Sequence, residues 1–197
     1  MIAENASSGT LWTMNVSLSW DLFIVVFFAI VMSYSFIIGK QKSMKIIIAS
    51  YISIIAVQGI GNVLSRALLN SGMTMESMGI PVDVTMIALG KIFLFAICVI
   101  VFVLRSGIDV SYDKDAGSVL SIIYTGLFGF STAGLIVSTI LTYASGSGIL
   151  DSTLAAQSTM APLAAGSTLI QLMILNQDLW YTLPAFVIIA LGFLHND

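Results

Sequence analysis

Long runs without a charged residue are the feature that most constrains this chain. A helix needs about 20 consecutive apolar residues to cross the hydrocarbon core of a bilayer, and four runs come close to or reach that length. The sequence therefore predicts an all-α integral membrane protein with four transmembrane helices, contained in residues 19–145. The runs are residues 22–39, 46–65, 84–104 and 118–143, the third being interrupted only by Lys91.

Composition supports lipid, rather than water, as the solvent of these helices. Apolar residues make up 58% of the 197 residues and charged residues 9%, whereas a soluble protein carries about 25% charged residues. So few charges cannot cover the large relative surface of a small globule. The net charge of −3 argues against a nucleic-acid partner, which requires a basic surface. The bilayer is therefore the first partner that the sequence predicts.

The orientation of the chain follows from its lysines. Lys40, Lys42 and Lys45 lie between the first two runs, and lysines that flank a span remain on the cytoplasmic side. A cytoplasmic turn at this position places the N-terminal segment 1–18 and both chain termini outside. We expect a protein that crosses a cell membrane several times.

The C-terminal segment 146–197 is more ambiguous. Its second apolar patch, Leu179 to Leu194, contains Pro184 and spans roughly 24 Å as a helix, against a ~30 Å core. We expect a re-entrant or interfacial helix pair that caps the outer face. A fifth span is the alternative, since a bilayer can thin locally around a short helix.

A charge inside a predicted span suggests a polar cavity. Lys91 lies about a third of the way into the third run from its outer end, and an intramembrane charge suggests a functional site. Asp21, Gln58 and Asn62 occupy a similar predicted depth and complete a candidate cavity open to the outside. In the alternative interpretation, Lys91 extends to the outer interface, and the two amides are interhelical packing contacts.

Small residues recur every four positions along the fourth run. In lipid, such stripes allow helix backbones to approach closely. The spacing serves equally well for packing within one chain and for packing between copies or with a membrane-protein partner. The stripe consists of Ser121, Thr125, Gly129 and Ala133.

Metal binding and catalysis find little support in the sequence. Met73, Met75 and Met78 lie in one predicted outer loop, and thioethers select Cu(I), but methionine also fills irregular apolar gaps. The single histidine, His195, lies three residues from the end, and no nucleophile, zinc or phosphate-loop motif is present. We expect no cofactor and no enzymatic activity.

Several short motifs together resemble the colicin V production protein (CvpA-like) family of bacterial inner-membrane proteins. Trp20 to Leu22 is similar to the aromatic–Asp–apolar opening of that family's first span, and Gly39 to Lys42 is similar to the short basic turn that ends it. Asp113 to Gly117, followed by Gly126, resembles the entry to the fourth span. Ser158 to Leu163 is similar to an Ala-Pro segment that follows the fourth span.

The resemblance implies a bacterial inner-membrane protein linked to toxin export and envelope integrity, with no established chemistry. On this basis we expect a non-catalytic protein that packs with itself or with a partner through the fourth helix. One alternative is a small transporter or channel subunit with an outward-facing polar cavity. Another is a structural accessory subunit of a larger membrane assembly.

Overall fold

A computed structural model describes residues 20–70, 84–105, 107, 118–145 and 166–194. Apart from short connections, these residues are helical and contain no strand, which confirms the all-α prediction for this part of the chain. The helices are α1 (Trp20–Asn70), α2 (Val84–Arg105), α3 (Ser118–Ser145), α4 (Thr168–Leu175) and α5 (Gln177–Leu194).

Three of the described helices are long and apolar enough to cross a membrane. The apolar parts are Trp20–Val63 in α1, Ile87–Arg105 in α2 and Val119–Ser145 in α3. Helices α4 and α5 meet at an angle of 69° and would add a fourth candidate if the bent pair forms one span. These lengths and compositions suit a membrane protein.

Helix α1 folds back on itself at Gly39. This glycine has φ 79° and ψ 172°, a backbone conformation that residues with a Cβ rarely adopt. The Oγ atoms of Ser35 and Ser43 lie 2.6 Å apart, whereas eight residues of straight helix would separate them by about 12 Å. We therefore divide α1 into a first arm, residues 20–38, and a second arm, residues 40–70.

The first arm packs antiparallel to α3. Near the start of α3, a Cβ on Gly126 would lie 3.3 Å from the ring of Phe36. Further along α3, Val137 belongs to the same buried cluster as Ile24, which lies near the start of the arm. Residue numbers therefore fall along the arm as they rise along α3.

The second arm packs parallel to α3. Ile47 shares a buried cluster with Phe128, and the Tyr143 hydroxyl donates to the carbonyl oxygen of Ile54 at 3.3 Å. Residue numbers rise together on both helices. Because the two arms run in opposite directions along the same partner, α1 is a helical hairpin whose turn is Gly39.

Helices α2 and α5 both run antiparallel to α3. In α2, the ring of Phe95 lies 6.1 Å from that of Tyr143, near the end of α3, and Val103 lines the same groove as Thr132, which comes earlier in α3. In α5, Gln177 bonds to Thr142 and Leu191 shares a cluster with Phe128. One end of the bundle, the Gly39 end, therefore contains Gly39, Arg105 and the start of α3. The other, the Asp21 end, contains Asp21, the start of α2, the end of α3 and α4.

The small-residue stripe of α3 faces the inside of this bundle. A Cβ on Gly129 would lie 2.8 Å from the Ser35 Cβ and 3.1 Å from the Met32 Cα, so the first arm fills the space that a side chain would need. Thr125 and Ala133 are buried, while Ser121 is half-buried. Of the two uses that the spacing left open, the described contacts assign Gly129 to packing within the chain.

Candidate functional site

Asp21 fastens the start of α1 to the start of α4. Its Oδ1 accepts hydrogen bonds from the Ser167 hydroxyl and from the Leu169 backbone N–H, the latter at 3.0 Å. Ser167 is the N-cap of α4 and also accepts from the Ile170 N–H at 3.1 Å. A carboxylate is stabilised at a helix N-terminus, where unpaired N–H groups carry partial positive charge. The partners of Asp21 therefore lie on the C-terminal segment, a pairing that sequence reasoning did not identify.

Lys91 lies against the second arm of α1. Its Cε would be 3.6 Å from a Cβ on Gly61, so the missing side chain of that glycine leaves room for the lysine stem. Lys91 and Gln58 are half-buried, and Asn62 is exposed. The structure thus brings Lys91 next to the helix that carries Gln58 and Asn62. A single cavity shared by these residues and Asp21 stays a prediction.

A buried polar cluster joins α3 to α5 at the Asp21 end. The Gln177 side-chain N–H donates to the Thr142 Oγ1 at 3.0 Å, and the Tyr181 hydroxyl donates to the same oxygen at 3.4 Å. Thr142 in turn donates to the Ser138 carbonyl oxygen at 2.7 Å. Gln177 and Tyr181 were not predicted as functional residues. The signal available in the sequence was a glutamine between two apolar segments.

Beside this cluster lies a cavity of about 10 Å³, lined in part by Ser138, Thr142, Ser145 and Gln177. The Ser138 hydroxyl oxygen is buried and has no hydrogen-bond partner among the described residues. A site that holds one water needs roughly 10–15 Å³ and two to four polar partners. The cavity therefore has the size and the chemistry of a site for one water molecule. It is too small for a larger solute.

A tyrosine of the second arm of α1 bonds to the backbone of α5. The Tyr51 hydroxyl donates to the Tyr181 carbonyl oxygen, three residues before Pro184, at 2.5 Å. This bond fastens the second arm of α1 to α5.

A larger groove opens at the Gly39 end, with a volume of about 350 Å³. Side chains from both arms of α1, from α2 and from α3 line it. Its lining is mostly hydrocarbon, with hydroxyls from Tyr34, Ser35, Ser43 and Thr132. This volume lies at the lower end of the ~300–1,000 Å³ that is typical of small-molecule sites. The sequence did not predict the groove because helices remote in the chain line it.

Two groups of expected site residues lie outside the described part of the chain. Met73, Met75 and Met78, considered for Cu(I), belong to the first group. The segments 113–117 and 158–163, on which part of the family resemblance rests, belong to the second. Among the described residues, no cluster of three or more His, Cys, Asp and Glu side chains has the arrangement of a metal site.

Comparison with protein-family models, with curated proteins and with solved structures finds no match to this chain. Its function must therefore be argued from its own helices, the polar cluster and the groove.

Proposed function

We propose that the chain is a non-catalytic integral membrane protein, an envelope- or export-associated component that acts by binding other membrane constituents. The observation that carries this proposal is the use of the hydroxyls in α3. Each of several buried hydroxyls donates to a carbonyl oxygen one turn earlier in its own helix, as expected for packing rather than for solute binding. These bonds, of 2.6–2.8 Å, are made by Thr125, Ser131, Thr132, Thr139 and Thr142.

The proposed topology has five crossings of an inner membrane. The two arms of α1, α2 and α3 supply four, with Gly39 as the turn between the first two. Helix α5 follows α3 from the level of Thr142 to that of Phe128, and it exposes Leu179, Phe186 and Phe193 on its outer face. This geometry favours the fifth span over an interfacial cap. The Gly39 end, which carries Lys42 and Arg105, faces the cytoplasm in this topology.

Reporter fusions test the topology. A fluorescent protein fused after residue 197 should be bright, because it folds in the cytoplasm, while alkaline phosphatase fused at the same point should be inactive. The interfacial cap predicts the reverse result. A membrane-impermeant maleimide should not label a Lys42→Cys variant in intact cells. Labelling would contradict the cytoplasmic location of the Gly39 end.

A small transporter or channel subunit is the second candidate. It is favoured by one specific observation, the half-buried Lys91 beside Gly61 within a candidate span. The exposed apolar faces of α2 and α5 suit contact with lipid or with other subunits, so an accessory role in a larger assembly remains the third candidate. The CvpA-like resemblance adds to the first proposal an expected role in toxin export.

Complementation separates the first two candidates. A strain of the source cell that lacks this protein is scored for sensitivity to detergent and to large antibiotics, and it is complemented with Lys91→Met and with Lys91→Arg. The component proposal expects full complementation by both variants. The transporter proposal would replace the component proposal under three results together. Lys91→Met would lose function, Lys91→Arg would restore it, and solute flux in proteoliposomes would depend on the lysine.

A further inference from the structure

The groove at the Gly39 end lies at a depth where the bilayer is hydrocarbon. Its walls include Tyr34 and Ile38 from the first arm and Val103 and Leu104 from the last turn of α2. These residues precede the charged Lys40 and Arg105 by only a few positions. The groove therefore extends from just below the basic end of the bundle into the apolar interior.

Three hydroxyls of the groove, those of Ser35, Ser43 and Thr132, are already used by the protein. Ser35 and Ser43 bond to one another at 2.6 Å, and the Ser35 hydroxyl also donates to the Thr125 carbonyl oxygen at 3.0 Å. The Ser43 hydroxyl oxygen lies 3.0 Å from the Gly39 carbonyl oxygen. The Thr132 hydroxyl donates to the Phe128 carbonyl oxygen at 2.6 Å. An occupant therefore meets mainly hydrocarbon. A cavity of about 150 Å³ with such a lining binds benzene, so 350 Å³ accommodates a substantial segment of an acyl chain.

Basic residues adjoin the groove in the chain, since Lys42 precedes the lining residue Ser43 and Arg105 follows the lining residue Leu104. The connection from Arg105 to α3 contains Lys114 together with Asp109, Asp113 and Asp115. Lys42 and Arg105 are exposed, and Lys40 and Lys45 are half-buried. Within the described ranges 20–70, 84–105, 118–145 and 166–194, the only carboxylates are Asp21 and Asp178, which belong to the Asp21 end. Basic side chains beside an interhelical groove on the cytoplasmic side are the typical surroundings of an anionic lipid headgroup.

We propose that this groove holds one acyl chain of an anionic phospholipid, whose phosphate is held by Lys42 and Arg105. The inference rests on the membrane insertion and orientation of the proposed function. It holds whether the protein is an envelope component or a transporter subunit. An apolar lining selects the chain, and the basic rim selects the headgroup. The two parts of the site can therefore be changed separately.

Lipid retention by the full-length protein tests the proposal. The protein is purified in mild detergent and incubated with equal amounts of dioleoyl phosphatidylglycerol and dioleoyl phosphatidylcholine, and intact complexes are weighed by native mass spectrometry. We expect one retained phosphatidylglycerol per chain. A double variant, Lys42→Gln with Arg105→Gln, should keep the chain site but lower the preference for phosphatidylglycerol by the order of tenfold, since each basic residue near an anionic surface contributes separately.

Val103→Trp is the variant that fills the groove. It should abolish retention of both lipids, whereas Val101→Trp, at an exposed position of the same helix, should retain lipid as the unchanged protein does. Val99→Phe, on the same groove wall, provides a second filling variant if Val103→Trp is not monodisperse. The groove site is wrong if the filling variants retain as much lipid as Val101→Trp. The headgroup assignment is wrong if the unchanged protein binds the two lipids equally.

Insertion is measured separately by flotation with liposomes. A chain that floats with liposomes yet retains no lipid in detergent contradicts only the groove. A chain that does not float contradicts the membrane proposal on which the groove depends.

Discussion

Helices α2 and α3 show how little hydropathy decides about burial in this protein. Helix α2 is the more apolar of the two, yet only 11% of its most apolar window is buried, against 44% of the corresponding window in α3. In lipid, an apolar side chain gains nothing by leaving its solvent, so close packing decides which helix becomes central. Helix α3 is rich in Gly, Ser, Thr and Ala and lets its neighbours approach, whereas many bulky side chains of α2, among them Phe93 and Leu104, are exposed.

The largest test of this contrast exchanges one phenylalanine on each helix for alanine. Phe128 of α3 is 2% exposed and packs with Ile47 and Leu191, whereas Phe93 of α2 is 69% exposed. Phe128→Ala should lower the free energy of unfolding by about 3 kcal/mol, the low end of the range for cores, because lipid removes the transfer term but not the cavity term. Phe93→Ala should change it by less than about 0.5 kcal/mol. Unfolding in mixed micelles measures both changes. Similar losses of unfolding free energy in the two variants would mean that a partner covers α2.

Two glycines test the close approach directly, with opposite expected signs. A Cβ at Gly129 would meet the Met32 backbone at 3.1 Å, whereas nothing lies within 4 Å of a Cβ at Gly90. Gly129→Ala should destabilise by about 2 kcal/mol through overpacking, and Gly90→Ala should stabilise by up to about 1 kcal/mol through helix propensity. Thermal melting followed by fluorescence in detergent measures both. A stabilising Gly129→Ala would contradict the packing of the first arm on α3.

A serine tests whether hydrogen bonds add to the packing around α3. Ser35 contacts both the Ser43 hydroxyl and the Thr125 carbonyl oxygen, so Ser35→Ala should cost about 1 kcal/mol, the size of interhelical hydrogen bonds in membranes. Ser33, exposed on the same arm, supplies the matched control, and Ser33→Ala should have no measurable effect. Equal unfolding free energies for the two variants would show that side-chain size alone holds the hairpin.

The smallest expected effect is local and concerns α4, which lies beside α3 at the Asp21 end. Asp21→Ala removes the acceptor of the Leu169 N–H and should speed hydrogen exchange in residues 168–175, with little change in global unfolding. Asp178→Ala, an exposed carboxylate in the first turn of α5, is the control. Unchanged exchange in Asp21→Ala would mean that α4 is held by its apolar contacts alone.

The sequence predicted the helical secondary structure of the described residues and the turn at Gly39, but not the contacts that join remote parts of the chain. Uncharged runs of about 20 residues can be read one by one, and the fold-back between them was signalled by Gly39 and the lysines that follow. The Asp21 bond to Ser167 and the Gln177 bond to Thr142 were not predicted, since each joins residues more than 30 positions apart. Gly129 was singled out, but its spacing served packing within a chain and between chains equally well.

What the sequence determined by itself is the helical content of the described residues and the presence of helices long and apolar enough to suit a membrane, because both depend on local composition. Which helix is central, which faces remain exposed and where a groove forms were decided by the tertiary structure. These properties depend on which side chains leave room for a neighbour. That can be judged only when both neighbours are in place.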